Sequence, residues 1–339
     1  MRDIFSEEVA ARFDHKGVRK AYDAWPELAR MGSEAAPDVS FGKVERVYFL
    51  GMGGSAAGGE IAAGWLWRRH GAAVGVFKGE IPPVDMRGSL AIACSVSGQT
   101  EETISMLGTA VQRGASAVSV SSGGKLEELS RKLGATHIGA PAALAPRYLL
   151  PYITFACIAI ATDALGIDAS SEVQDALSGM TAESEAIRVG TPQESNPSKE
   201  IAFRLLERTP ATYGTAATKG VGVRFKSILN ENAKKHAYFD VIPEIFHNEI
   251  EAWERPDTDF LPVFLRHSLD GERERRLTDR MIMMLNDLDV QPLEVKGRGG
   301  SSLAELATMV YRLDLAAYYV AVGLHIDPLP TRLLDALKK

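Results

Sequence analysis

The stretch "SLAIACSVSGQTEET" (89–103) runs a strand into a helix and gathers Ser95, Ser97, Thr100 and Thr103 around Gly98. Its first half is a nearly unbroken apolar run of strand length, the form of a strand covered on both faces of a parallel sheet. The segment that follows, "TEETISMLGTAVQRG" (100–114), has helical spacing and acids in its first turn. The same alternation extends to either side. "RVYFLG" (46–51) is a strand, "SAAGGEIAAGWLWRRH" (55–70) a helix and "AAVGVFK" (72–78) a strand. After the helix at 100–114 come a strand "ASAVSVSS" (115–122), a helix "KLEELSRKLG" (125–134) and a short strand "THIGA" (136–140). Apolar runs alternating with helical patterns define βαβ units and a parallel sheet.

The second half repeats the plan more loosely. "ATYGTA" (211–216), "FLPVFLRH" (260–267) and "QPLEVKG" (291–297) read as strands. "VGVRFKSILNENAKKHAYF" (221–239), "ERERRLTDRMIMMLNDL" (272–288) and "SSLAELATMVYRLDLAAYYVAVG" (301–323) read as helices, the last opening with a capping box of Ser302 and Glu305. Residues 1–45 read as helical, with Trp25-Pro26 and a Gly/Ala/Pro-bearing break near 32–38, and "PTRLLDALKK" as a short final helix. The expected fold is α/β, two doubly wound parallel sheets flanked by helices. The expected division is a first domain over 1–160, a polar linker over 161–195 and a second domain over 196–339.

Composition narrows the classes of function. The chain has 339 residues and a net charge of −6, so it lacks a general basic surface for nucleic acid or membrane. Cys94 and Cys157 lie in apolar runs and read as packing residues, neither a disulfide nor a metal site. The N-terminal "MRDIFSEEVAARFDHKG" has charges throughout, unlike a signal peptide. The most apolar candidate span, 309–324, carries Arg312 and Asp314, so no membrane segment is expected. These features point to a reducing cytoplasm.

Two loops follow strands of the first unit, "GMGGSAAGG" (51–59) and "SVSGQTEET" (95–103). Ligands of open α/β sheets sit beyond the carboxyl ends of the strands, where helix N-termini offer free N–H groups. Gly53 and Gly54 let the backbone approach an anion, and Ser55, Ser95, Ser97 and Thr100 add compact neutral donors. The set suits a phosphate monoester. Ser55 and Thr100 can also be read as helix N-caps. Gly51-x-Gly53-x-x-Ala56 loosely matches a dinucleotide loop, but Glu80 lies too far past its strand for a ribose ligand, and the second hydroxyl loop is left without a role. A P-loop is excluded because no Gly-Lys-Ser/Thr occurs.

Together the two loops resemble the sugar isomerase (SIS) domain. "LNENAKKHAYFDVIPEIFHNEI" (229–250) further resembles the signature of bifunctional phosphoglucose/phosphomannose isomerases, with N-E-N-A-K, P-E and H-N-E-I in order, and "DPLPTRLLDALKK" (327–339) resembles that family's tail. The likeness covers nearly the whole chain. Gln99 replaces the commoner Asn of S-G-N-T, and the polar linker is long. The resemblance implies two SIS-type domains, a homodimer with shared active sites, no metal or cofactor, and interconversion of glucose, mannose and fructose 6-phosphates. It implies Glu231 as the base, His247 from the neighbouring subunit as a ring-opening group, Lys338 (or Lys339) acting at the ring, and Arg147 supporting the intermediate. Thr331 is a candidate lining residue near C2 of the sugar.

The chemistry fits those residue types. Aldose–ketose exchange needs one carboxylate to carry a proton between C1 and C2 through a cis-enediol. Ring opening needs a donor and an acceptor, which a His and a Lys supply, and a guanidinium stabilises the enediolate. Read alone, Glu231 also fits a solvated helix face, His247 a structural histidine, Arg147 a salt bridge near a helix start, Lys338 a terminal charge and Thr331 a helix cap. A sugar-phosphate-sensing regulator needs a basic helix-turn-helix ahead of the SIS domain, and residues 1–45 are short and not basic. An amidotransferase needs a catalytic Cys near position 2, where this chain has Arg2. A single-SIS arabinose- or heptose-phosphate isomerase is a shorter chain.

Overall fold

The computed structural model describes residues 4–37, 39–255 and 259–337. The chain divides into two compact units, Ala24–Leu177 and a second made of Met1–Asp23 with Ser178–Lys339. The first helices, α1 (Glu7–Phe13) and α2 (Val18–Asp23), therefore belong with the C-terminal half. Their apolar residues explain this: Tyr22 lies fully buried and accepts a hydrogen bond at its hydroxyl from Asn232 Nδ2, 2.9 Å away.

The N-terminal unit begins with α3 (Trp25–Ser33), which Pro26 opens where its missing N–H costs nothing. It continues through β1 (Arg46–Gly51), α4 (Gly53–His70), β2 (Val74–Phe77), β3 (Ser89–Cys94), α5 (Glu101–Gln112), β4 (Ser116–Ser121), α6 (Gly124–Leu133), β5 (Thr136–Gly139) and α7 (Leu150–Leu165). The five strands are all parallel, in the order β2-β1-β3-β4-β5. Every residue of β3 is buried, as its apolar run requires of a central strand. The order reverses between β1 and β3, so the crevice at their carboxyl ends is the switch point of this sheet.

Residues Pro146–Leu165 are long and apolar enough to cross a membrane by length and composition, a segment that the sequence reading passed over for 309–324. Its helix α7 is a core helix: Leu150–Ile158 are buried, and α3 packs so closely that a Cβ on Gly32 would lie 2.4 Å from the Tyr152 carbonyl oxygen. The segment 161–195, expected as a linker, holds the end of α7 and an 18-residue helix, α8 (Ser170–Ile187). Its buried Glu183 pairs with Arg312, which is why a polar stretch is helical rather than open.

The C-terminal unit adds α9 (Pro197–Leu205), β6 (Thr209–Gly214), α10 (Lys219–Ala233), β7 (Tyr238–Val241), β8 (Phe260–Arg266), α11 (Glu272–Asp287), β9 (Leu293–Lys296), α12 (Ser302–Gly323) and α13 (Arg332–Leu337). Its four parallel strands run β7-β6-β8-β9, the same winding as the first sheet, with the switch point between β6 and β8. The helix expected over 221–239 stops at Ala233, because Lys234 takes a left-handed φ of 53° and "YFDV" pairs with β6 as an edge strand.

Helix α12 is buried from Ser302 to Val322 and forms the centre of the unit. Two of its charges, those that kept 309–324 from reading as a membrane span, are paired inside the protein. Arg312 Nε meets Glu183 Oε1 at 2.6 Å, and Arg224 Nη2 meets Asp314 Oδ2 at 2.5 Å. Ser301, not Ser302, caps the helix through Ala304 N, and Glu305 turns to the β8–α11 loop instead of completing a capping box.

Candidate active site

The N-terminal unit assembles the two loops seen in the sequence. Helix α4 starts at Gly53, whose φ of +52° an L side chain resists, with Met52 rather than Ser55 at the N-cap. Among the described residues no acceptor meets the N–H groups of Gly53, Gly54 or Ser55. The first turn of α4 carries no acid. Three free N–H groups at the positive end of an 18-residue helix therefore face the crevice end of β1 and β3.

Across the crevice, Ser95 is buried and its Oγ lies 2.9 Å from Thr100 Oγ1. Thr100 occupies the N-cap of α5, yet its side chain makes no capping bond. The cap readings of Ser55 and Thr100 thus fail on geometry: one is inside its helix, and the other spends its hydroxyl on Ser95. Ser97 is exposed at the loop tip, with its Oγ accepting from Gln99 N at 3.3 Å.

A third loop, after β4, supports this one and was missed in the sequence. Leu126 N donates to Gly98 O at 3.0 Å, Ser122 N to Val96 O at 2.9 Å, and Ser121 Oγ to Gly123 O at 2.8 Å. A Cβ on Gly98, whose φ is +64°, would lie 1.7 Å from Gly123 O. The readable signal was "SSGGK" (121–125), glycines and hydroxyls again at a strand's end.

Below the crevice, Cys94 and Cys157 are free and buried, Sγ to Sγ 3.6 Å, and their mutual hydrogen bond and burial push the Cys157 thiol well above its usual pKa. Arg147 lies in the 3-10 turn Pro146–Leu149, mostly buried, with its guanidinium carbon 4.8 Å from the Tyr148 ring centroid. The guanidinium thus lies within cation–π range of the ring.

In the C-terminal unit, Glu231 sits half-exposed in the last turn of α10. That turn is anchored from beneath. Asn232 bonds Tyr22, Tyr22 donates to Asp314 Oδ2 at 3.4 Å, and Asp314 takes Arg224 Nε at 3.0 Å. Burial raises the Asp314 pKa although Arg224 pulls the other way; burial opposes the Arg224 charge, but Asp314 more than offsets it and keeps the guanidinium protonated.

His247 ends the 3-10 turn Glu244–His247 and is exposed. The segment behind it is tied to the sheet: Tyr213 in β6 donates to Glu249 Oε1 at 2.7 Å and receives Trp253 Nε1 at 3.1 Å. Thr331 precedes α13, with Oγ1 3.4 Å from Asp335 Oδ1 and its carbonyl accepting from Asp335 N, an arrangement of a helix start. Lys338 and Lys339 lie outside the described residues. The structure thus gathers Gly53, Gly54, Ser55, Ser95, Ser97 and Thr100 in one crevice of the N-terminal unit, which also carries Arg147. Glu231, His247 and Thr331 stand on three separate elements of the C-terminal unit.

Comparison with known proteins places this geometry. Residues 194–339 match the family described as bacterial phospho-glucose isomerase C-terminal SIS domain. A bifunctional phosphoglucose/phosphomannose isomerase of Aquifex aeolicus is 31% identical over 86% of this chain and 89% of its own, and that of Caldicellulosiruptor bescii is 29% identical over 95% and 94%. A D-glucosamine-6-phosphate 4-epimerase of Sulfolobus acidocaldarius is 28% identical over 73% and 77%. Among solved structures, a glucose-6-phosphate isomerase like protein from Thermus thermophilus superposes with a TM-score of 0.66 at 20% identity, covering 98% of this chain and all of its own. The C-terminal domain of glucosamine-fructose-6-phosphate aminotransferase from Francisella tularensis gives 0.70 at 14% identity, covering 92% and 97%. At such identities the solved structures establish the two-sheet fold. With the N-E-N-A-K and H-N-E-I segments in place and the identity sustained along most of its length, the chain belongs to the family of bifunctional phosphoglucose/phosphomannose isomerases.

Proposed function

We propose that the protein interconverts glucose 6-phosphate, mannose 6-phosphate and fructose 6-phosphate. The observation that carries this reading is the β1/β3 crevice, where three N–H groups without acceptors face a pair of bonded hydroxyls in a chain of this family. The phosphate is held by Gly53, Gly54, Ser55, Ser95, Ser97 and Thr100, with backbone donors and hydroxyls in place of a lysine. Glu231 takes the proton from C2 of the aldose and returns it at C1 of the cis-enediol; the reverse transfer makes either aldose. Arg147, beside the Tyr148 ring, stabilises the negative charge gathered on O1 and O2. His247 and Lys338 donate to O5 and accept from O1 as the ring opens, and Thr331 lines the C2 side.

His247 is exposed at the end of a turn held by the Tyr213–Glu249 bond, which suits a residue presented to the neighbouring subunit of a homodimer. The protein works without metal or cofactor, in the cytoplasm. A coupled assay following fructose 6-phosphate formation from each aldose phosphate in the presence of EDTA tests the reading. Turnover of both is expected. Turnover of neither, or only with an added metal, overturns it.

A further inference from the structure

The C-terminal unit holds a cavity of about 480 Å3 beside the edge strand β7, and the proposed reaction makes no use of it. Strand pairing decides which side chains line it. Ala211 stands opposite Tyr238 and Tyr213 opposite Asp240, so these four side chains share one face of the sheet. Met281 and Leu285 of α11 pack on part of that face, with Tyr213 and Phe264, and Trp253 packs on another part. At the edge, Tyr238 is left exposed. Tyr213, Tyr238, Trp253 and Phe260 make aromatic walls, the Tyr238 and Phe260 ring centroids lying 5.9 Å apart. Two carboxylates join them. Glu249 Oε1 accepts from the Tyr213 hydroxyl at 2.7 Å, and Asp240 Oδ1 accepts from Val241 N at 2.6 Å. Among the described residues neither carboxylate pairs with a Lys, Arg or His, and no Lys, Arg or His lines the cavity. Among those residues no third acid, His or Cys joins the pair to hold a metal ion.

We propose that this cavity binds an organic ammonium ion, a cation carried on an aromatic or alkyl body. A cavity of this size, walled by aromatic rings with a few polar groups, suits a small molecule. The sign of its charge follows from what faces it. Aromatic faces carry the negative side of the ring quadrupole and attract an ammonium within about 6 Å. Two carboxylates without a cationic partner add to that attraction, and no positive side chain in the lining offsets them. The same charges repel a sugar phosphate, so the cavity is not a second place for the substrate. A neutral aromatic compound fills the walls but leaves the carboxylates unmatched. Burial, the Glu249 bond and the charges of Glu249 and Asp240 raise the Tyr213 pKa against the Trp253 donor, so the hydroxyl stays neutral and goes on donating to Glu249. The chain Trp253–Tyr213–Glu249 holds two of the walls and one carboxylate in place before a ligand arrives, which lowers the ordering cost of binding.

Three probes of one shape test the charge: phenethylammonium, 2-phenylethanol and 3-phenylpropionate. Each is titrated into the full chain by ligand-observed NMR, in saturating inorganic phosphate so that the β1/β3 crevice does not enter the readout. The ammonium is expected to bind about fivefold tighter than the alcohol, and the carboxylate more weakly than either. The double replacement Asp240→Asn with Glu249→Gln keeps both shapes and should bring the ammonium and the alcohol to equal Kd. Ala211→Ile fills the cavity from the sheet and should weaken both. If that variant fails to give a cooperative melt, Tyr238→Ala, at an exposed position, removes one wall and should weaken the ammonium several-fold. Absence of ammonium binding, equal Kd for the three probes in the wild type, a preference for the ammonium that survives the double replacement, or an ammonium Kd unchanged by the folded cavity variant overturns the proposal.

Discussion

Gly98→Ala is the perturbation whose size follows most directly from the geometry. The new Cβ would lie 1.7 Å from Gly123 O and 2.8 Å from Gly123 C, both backbone atoms that cannot rotate away. The β4–α6 loop must retreat by about 1.5 Å or more to restore an ordinary contact. The residue also keeps a left-handed φ of +64°, which costs an alanine about 1–2 kcal/mol. The retreat breaks the Leu126 N to Gly98 O bond of 3.0 Å and shifts Ser97, which hangs on the same loop. A displacement of about 1 Å in a positioned group lowers catalysis by roughly 10²-fold, so kcat/KM is expected to fall by about that factor, mostly through KM. Gly134→Ala, at the C-cap of α6 and outside the crevice, is the control: its φ is +67°, but nothing lies within 4 Å of the added methyl, so it pays the backbone term without the clash. Thermal melts and coupled isomerase kinetics on both variants separate strain from displacement. Equal losses in the two variants, or a Gly98→Ala enzyme with unchanged KM, refute the reasoning.

Three further outcomes follow from the same contacts. Glu231→Gln keeps the shape of the side chain and removes its basicity, so kcat should drop by at least ~10²-fold with the melting temperature unchanged, as read by steady-state assay and calorimetry. Mixed Glu231→Gln and His247→Ala subunits should regain activity on exchange if His247 serves the neighbouring subunit; no recovery after demonstrated exchange places both residues in one chain's site. Asp314→Asn leaves Arg224 buried without its carboxylate and should lower unfolding free energy by about 3–5 kcal/mol, measured by denaturant titration, whereas the double replacement Arg224→Met with Asp314→Leu should recover much of the loss.

How legible these features were depended on whether the governing interaction was local. The β3 run and the hydroxyl loop after it state strand, turn and helix within fifteen residues, and the structure places Ser95, Ser97 and Thr100 at the strand's end as read. The end of α10 was less legible: "NENAKKHAYF" has no helix breaker, and only pairing of Tyr238–Val241 with β6 makes it a strand. The attachment of residues 1–23 to the C-terminal unit, and the tie of Glu249 to the sheet, depend on partners far along the chain. No spacing rule relates Tyr22 to Asn232, or Tyr213 to Glu249. The loop 121–125 was readable by the logic applied to its neighbours, but it had been absorbed into a strand and a helix.

The measurement closest to the central claim follows fructose 6-phosphate with the purified protein in D2O by 31P and 1H NMR. A base shared by C1 and C2 predicts that both glucose and mannose 6-phosphates accumulate, with deuterium entering at C2 to the extent that the protonated Glu231 exchanges with D2O before it returns its proton, while glucosamine 6-phosphate supplied separately is unchanged. Formation of neither aldose, or products free of solvent deuterium alongside epimerisation of glucosamine 6-phosphate at C4, contradicts it.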